Sequence, residues 1–219
     1  MTAEIEAEYR RRYSEVLKPL AKAICAHIEE HLQGQPRIDK VTARPKSIDR
    51  FVSKAMTLKE DGKKKYSEPF QQIQDQLGAR IVTFYLQDVA RVSEIIERYY
   101  RPVESKQIVP EKLWEFGYFG KHYVLLVPTD VVDSSLDKAL VPTFFELQIK
   151  TLFQHAWSEA EHDVGYKPEL GELTEDEVRQ LAFTSAQGWG ADRIFNDLFS
   201  SRSDSKTKAE QSKMGSAPS

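Results

Sequence analysis

The stretch from Phe144 to Lys167, FFELQIKTLFQHAWSEAEHDVGYK, gathers an acid, an amide, a base, a hydroxyl and two imidazoles in a short length of chain. Its first half alternates, so Glu146, Gln148 and Lys150 point to one side of an extended strand and Phe145, Leu147 and Ile149 to the other. Its second half changes to helical spacing. Phe153, Trp157, Ala160 and Val164 share a stripe, and His155, Glu159 and His162 lie on the opposite face. Each half alone also fits a half-wet antiparallel strand and an apolar packing stripe. The density of chemically able types is what marks a candidate active site.

A second cluster is basic. Ser47 can cap a helix from Ile48 to about Thr57, whose exposed side adds Arg50 and Lys54 to Arg44 and Lys46 just before it. Four cations near one helix start read either as a solvated face or as a polyphosphate cradle, where guanidinium and ammonium groups match phosphate oxygens. Lys63 to Lys65 read as solvated charge. Further on, Asp75 lies at the mouth of a strand starting near Ala79, with Gly78 allowing close backbone approach. Arg80 in that β-branched strand needs an anion, either Asp75 or a ligand phosphate. Tyr118, between Gly117 and Gly120, can hold its ring at a cleft edge, and His122 begins a strand.

These groups need elements to position them. A long amphipathic helix over residues 3 to 33, with a kink at Pro19, opens the chain. A short strand around Ile38 and Val41 follows, then helices near 48–57, 69–73 and 88–100, a loop over 101–116, and a turn with a buried strand over 116–127. The strand beginning near Thr143 feeds the His/Glu helix. Thr174 to Glu177 form a capping box for a helix to about Phe199, with Leu181, Phe183, Trp189, Ile194 and Phe195 as its apolar contacts. From Ser200 the composition predicts disorder.

The chain has 219 residues, 40% of them apolar and 30% charged, enough for one sizeable core. A single cysteine, Cys25, excludes an internal disulfide and a cysteine-rich zinc site. The 31 basic and 34 acidic residues nearly balance, which gives no case for broad nucleic-acid binding, so any anion site is local. No apolar run approaches the ~18 residues of a membrane span and no secretory h-region opens the chain, so the expectation is a cytoplasmic protein with no membrane partner.

Taken in order, these motifs resemble the synthetase domain of RelA/SpoT-type alarmone synthetases, above all the small ones, over roughly residues 37 to 167. Arg44-Pro-Lys46-Ser-Ile with Lys54 resembles the ATP motif, and Asp75-Gln-Leu-Gly-Ala-Arg80 the magnesium-aspartate motif. Gly117-Tyr118 with His122 resembles the acceptor-nucleotide motif. Glu146-x-Gln148-x-Lys150-Thr151, with Trp157 and Glu161-His162, resembles the strand and helix of the second acid. The resemblance implies an α+β fold, a mixed central sheet flanked by helices and akin to nucleotidyltransferases. It divides the chain into an N-terminal helix (1–36), the synthetase domain (37–170), a packed C-terminal helix (171–199) and a tail (200–219).

The implied activity moves the β,γ-pyrophosphate of ATP to the 3′-hydroxyl of GDP or GTP, releasing AMP. Asp75 and Glu146 would hold Mg²⁺ and Glu146 would serve as base. Arg44, Lys46, Lys54 and Arg80 would hold ATP, and Tyr118, His122, Gln148 and Lys150 the acceptor. Phe119, Lys150 and the Trp114-Glu115 pair depart from the family pattern, all on the acceptor side. Adenosine nucleotides or the tRNA 3′ end are therefore the alternative acceptors, and an antitoxin or a homo-oligomer the open partners. The expectation from the short segment ahead of the synthetase part is a protein without a hydrolase domain. A different class of reading, zinc on His155, Glu159 and His162, is strained because the two imidazoles lie about 10 Å apart along a helix.

Overall fold

The computed structural model describes residues 2–110, 112, 115–117, 119–165 and 171–214, with side chains as far as residue 205. Among these residues, five strands form one mixed sheet: β1 (Ile38–Pro45), β2 (Leu77–Thr83), β3 (Pro102–Ile108), β4 (Gly120–Leu126) and β5 (Phe144–Thr151), in the order β1-β2-β5-β4-β3. All neighbours are antiparallel except β2 and β5, which run side by side with Gly78 beside Glu146 and Arg80 beside Gln148. That parallel pair brings two motifs distant in sequence side by side within the sheet.

Alternation sets the sheet's two faces. On β5, Phe145, Leu147 and Ile149 are buried with Leu77, Ala79 and Ile81 of β2, and the even positions open toward a cleft. Lys150 departs from the expected wet face, being 2% exposed because the helix that follows covers it.

The core face is covered by α1 (Thr2–Arg12) and α2 (Lys18–His31), which contribute Tyr9, Leu20, Ile24 and Ile28. The long helix does not break at Pro19. A π turn at Tyr13–Leu17 joins its halves, with the Lys18 N–H bonding Tyr13 O, so the ladder widens by one residue just ahead of the proline. Tyr9 stacks on Phe51 of α3 (Ile48–Ala55) at 3.7 Å between centroids, seating the start of the basic cluster on the core. Ser47 takes the expected N-cap place with extended backbone, though its side chain makes no capping bond.

After α4 (Pro69–Gln72) and a 3₁₀ turn over Gln74–Gln76 comes β2, and α5 (Leu86–Tyr99) follows it. Two expectations are corrected. Residues 102–108, taken as loop, form β3, an edge strand with β4 as its partner, whose exposed side chains give little apolar alternation. The C-terminal helix, α7 (Glu175–Met214), runs well past Ser200, where disorder was expected: no Gly or Pro interrupts residues 200–213, and Lys, Ala, Glu and Gln favour helix. Its capping box forms as read, Thr174 N–H bonding Glu177 Oε2 at 2.8 Å and Glu177 N–H bonding Thr174 Oγ1 at 3.3 Å.

α7 packs through only part of its expected apolar set. Trp189 and Phe195 make apolar contacts, with Phe116 and Phe153, while Phe183 and Ile194, expected to do the same, are 64% and 61% exposed, and the buried positions among its described residues are Ser185 and Asp192. It packs against α6 (Leu152–Gly165), where Phe195 stacks on Phe153 and Trp157 Nε1 donates to Leu181 O. The Phe153/Trp157 stripe is thus an interhelical seam, with Val164 left exposed at its far end. No helix among the described residues is long and apolar enough to cross a membrane.

Candidate active site

One cleft of about 1070 Å³ opens beside the β2–β5 pair, near the upper bound for a single drug-sized ligand and large enough for two nucleotides side by side. Arg44 and Lys46 reach it from the end of β1, Arg50 from α3, and Asp75 from the turn ahead of β2. Arg80 comes from β2, Glu146, Gln148 and Lys150 from β5, and His155, Glu159, Glu161 and His162 from α6. Elements separated by a hundred residues converge because β5 inserts between β2 and β4.

Asp75 anchors the donor side. Lys46 Nζ bonds its Oδ2 at 2.7 Å, and Lys54 Nζ approaches Oδ1 at 3.0 Å. Oδ1 is shut from solvent and accepts no hydrogen bond, so Lys54 meets it as a charge alone. Burial pushes this carboxyl up, but the hydrogen bond from Lys46 and the charges of Lys46 and Lys54 outweigh it and hold it below its ordinary value. Lys46 is itself steadied from the core, where the Tyr9 hydroxyl donates to its carbonyl at 2.9 Å. Sequence reasoning placed Tyr9 only in the apolar face and missed this tie.

Glu146 anchors the other side. His122 Nδ1 lies 2.9 Å from its Oε1, and Gln148 Nε2 donates to the same oxygen at 3.3 Å. Burial raises Glu146 and the nearby charge of Asp75 raises it further, yet His122 and Gln148 win and keep it ionised below its ordinary range. Asp75 and Glu146 therefore feel each other across the cleft.

Arg80 finds its anion elsewhere than expected. It bonds Glu159 and also His155 Nδ1 at 3.1 Å and Gln148 Oε1 at 3.4 Å, so Asp75 is left to the lysines. His155 and Glu159, singled out for zinc, thus serve an arginine, and His162 contacts Arg50. Lys150 is the buried cation, its Nζ donating to Ser158 Oγ at 2.9 Å. Burial, and then the charge of Arg80, push it down to about 7. Tyr118 lies outside the described residues. Its neighbour Gly117 is held by a hydrogen bond from Ser185 of α7 to its carbonyl.

Among the described residues no group of three or more His, Cys, Asp and Glu is arranged to hold a metal by itself. A hard cation here would share two carboxylates with substrate phosphates, the usual mode for Mg²⁺.

Residues 43–170 match the family described as a region found in RelA / SpoT proteins. The chain belongs to the RelA/SpoT family. The family match runs from the end of β1 through β5 and all of α6, and so contains Arg44, Asp75, Arg80 and Glu146. Among curated proteins, the chain is 30% identical over 162 residues to GTP pyrophosphokinase YjbM of Bacillus subtilis (strain 168), covering 72% of this chain and 70% of that one. Among solved structures, smu.1046c from Streptococcus mutans UA159 is similar with a TM-score of 0.66 at 25% identity, over 89% of this chain and 96% of that one. Small alarmone synthetase 1 from Bacillus subtilis, bound to its product pppGpp, gives a TM-score of 0.65 at 22% identity, over 90% and 95%. This RelA/SpoT chain has the α+β architecture that its motifs imply, a mixed sheet flanked by helices.

Proposed function

We propose that this RelA/SpoT protein is an ATP-dependent pyrophosphokinase that transfers the β,γ-pyrophosphate of ATP to the 3′-hydroxyl of GDP or GTP, giving (p)ppGpp and AMP. The observation that carries the reading is the pairing of Asp75 and Glu146 in one cleft, each held ionised by its own partners, beside Arg44, Lys46, Lys54 and Arg80. The curated relative named a GTP pyrophosphokinase supports it.

Phosphoryl transfer asks a protein for positioning and charge neutralisation more than for covalent chemistry. Lys46 and Lys54 sit against Asp75 and can pass to the incoming polyphosphate, and Arg44 and Arg80 line the same wall. Glu146, ionised at neutral pH, takes the proton from the acceptor 3′-hydroxyl as that oxygen attacks the β-phosphorus. The α,β bridging oxygen departs with AMP, so ATP and GDP become AMP and ppGpp. His122 and Gln148 hold Glu146 in its ionised form and fixed in direction.

Asp75 Oδ1, buried with the Lys54 ammonium beside it and no hydrogen bond, suits Mg²⁺ once Lys54 passes to the phosphates, and Asp75 and Glu146 would be the protein ligands. The ion would supply charge neutralisation on the phosphates. Incubation with ATP, Mg²⁺ and GDP, GTP, ADP or tRNA in turn tests the function. AMP release that depends on GDP or GTP is expected, and AMP release with ADP or tRNA alone would overturn the choice of acceptor.

A further inference from the structure

A second cavity, of about 200 Å³, lies on the far side of α6 from the Glu159 face, between α6, α7 and the loop that carries Gly117 and Phe119. Its aromatic walls are Phe119, Phe153, Trp157 and Trp189. Asp192 also lines it, 3% exposed on α7. Thr151 Oγ1 donates to Asp192 Oδ2 at 2.7 Å, and Oδ1 accepts no hydrogen bond. A buried carboxylate oxygen facing aromatic walls is costly without a donor.

The helix face that lines the cavity is built for an occupant. Ser185, Gly188, Trp189 and Asp192 fall at i, i+3, i+4 and i+7, one stripe of α7, so three small or polar residues and one ring line the cavity from this side. Gly188 costs about 1 kcal/mol against alanine in a helix interior, yet a Cβ there would meet only Phe153 Cβ at 4.0 Å, so packing does not demand glycine. Its missing side chain widens the cavity. Burial raises the Asp192 carboxyl to about 6 against the hydrogen-bonding pull of Thr151 and Gln154. Arg193, the other charged group on the lining, stacks over Trp189 at 4.3 Å.

The geometry points to a binding site for a small planar nitrogen heterocycle, its ring between the aromatic walls and one N–H donated to Asp192 Oδ1. Aromatic walls stack any flat ring, and the buried Asp192 oxygen, the lining acceptor without a hydrogen bond, selects one that carries a donor. The site adjoins the nucleotide cleft, with Gly117 and Trp157 lining both, but holds none of its charged residues. It shares a wall with the Gly117 loop and so touches the acceptor side from behind.

The test is calorimetric titration of the full chain with indole and with 1-methylindole, which has the same ring but no N–H. Saturable one-site binding of indole is expected, roughly tenfold tighter than 1-methylindole, the worth of one hydrogen bond to a buried carboxylate. Gly188→Leu, which fills the cavity, should abolish binding of both. Asp192→Asn should erase the preference for indole. No binding of indole, equal binding of the two probes, or unchanged binding to Gly188→Leu would overturn the proposal. Because the wild-type comparison and the Gly188 variant read binding alone, the outcome stands whatever the fate of the pyrophosphokinase reading or of the Asp192 variant's folding.

Discussion

His122 lies directly opposite Gln148 on the neighbouring strand, yet its ring reaches diagonally to Glu146, meeting Oε1 at 2.9 Å. Both strands thus place a donor on one carboxylate oxygen. His122 lowers the pKa of Glu146, so removing it must raise that pKa. With His122→Ala the acid limb of the kcat profile should move to higher pH, while activity well above the limb is affected less. A pH-rate series on both proteins checks this, and coincident acid limbs would contradict it.

Glu146→Gln keeps the shape of the side chain and removes its ability to take a proton. Turnover with ATP and GDP should fall by about 10²–10⁴-fold, the usual worth of a general base. Asp75→Asn should fall comparably by a different route, with a raised Mg²⁺ requirement. Steady-state AMP release across a magnesium series separates the two. Turnover within about twofold of wild type in either variant would remove that residue from the machinery.

Glu159 competes with any phosphate for Arg80. It is 55% exposed, so the pair contributes little to stability. Glu159→Gln should release the guanidinium and lower the KM for ATP a few-fold with a thermal midpoint near wild type. Arg80→Lys should raise that KM, since an ammonium lacks the planar fork. Unchanged KM in both variants would argue that Arg80 does not serve ATP.

Lys150 has its pKa depressed from 10.5 in the unfolded chain to about 7 in the fold. Between these values the unfolded state binds more protons, so this group makes stability rise with pH from about 7 to about 10.5. Lys150→Met should flatten that rise and stabilise the fold at neutral pH by on the order of 1–3 kcal/mol, as replacement of a buried charge by an apolar side chain often does. Urea midpoints at about pH 7 and about pH 9.5 measure it.

The parts of the site that were legible in the sequence are those carried by local order. Asp75-x-x-Gly-x-Arg80 and Glu146-x-Gln148-x-Lys150 have fixed spacings, and strand alternation says which side of the sheet they face. Pairing across the sheet was not legible. Nothing local distinguishes Asp75 from Glu159 as the partner of Arg80, because that choice follows from β5 lying beside β2 and from α6 folding back over them. α7 misled for a related reason. Phe183 and Ile194 read as apolar contacts but stay exposed, whereas Ser185 and Asp192 are buried because Gly117 and Thr151 offer them partners. β3 was missed because an exposed edge strand carries hardly any apolar alternation.

The most direct measurement follows the label from γ-³²P-ATP in a reaction with unlabelled GDP and Mg²⁺. The account predicts label in a guanosine tetraphosphate, AMP formed one for one with it, and loss of both products with Glu146→Gln. Label released as inorganic phosphate with ADP, or tetraphosphate formed equally well by the Glu146→Gln protein, would contradict it.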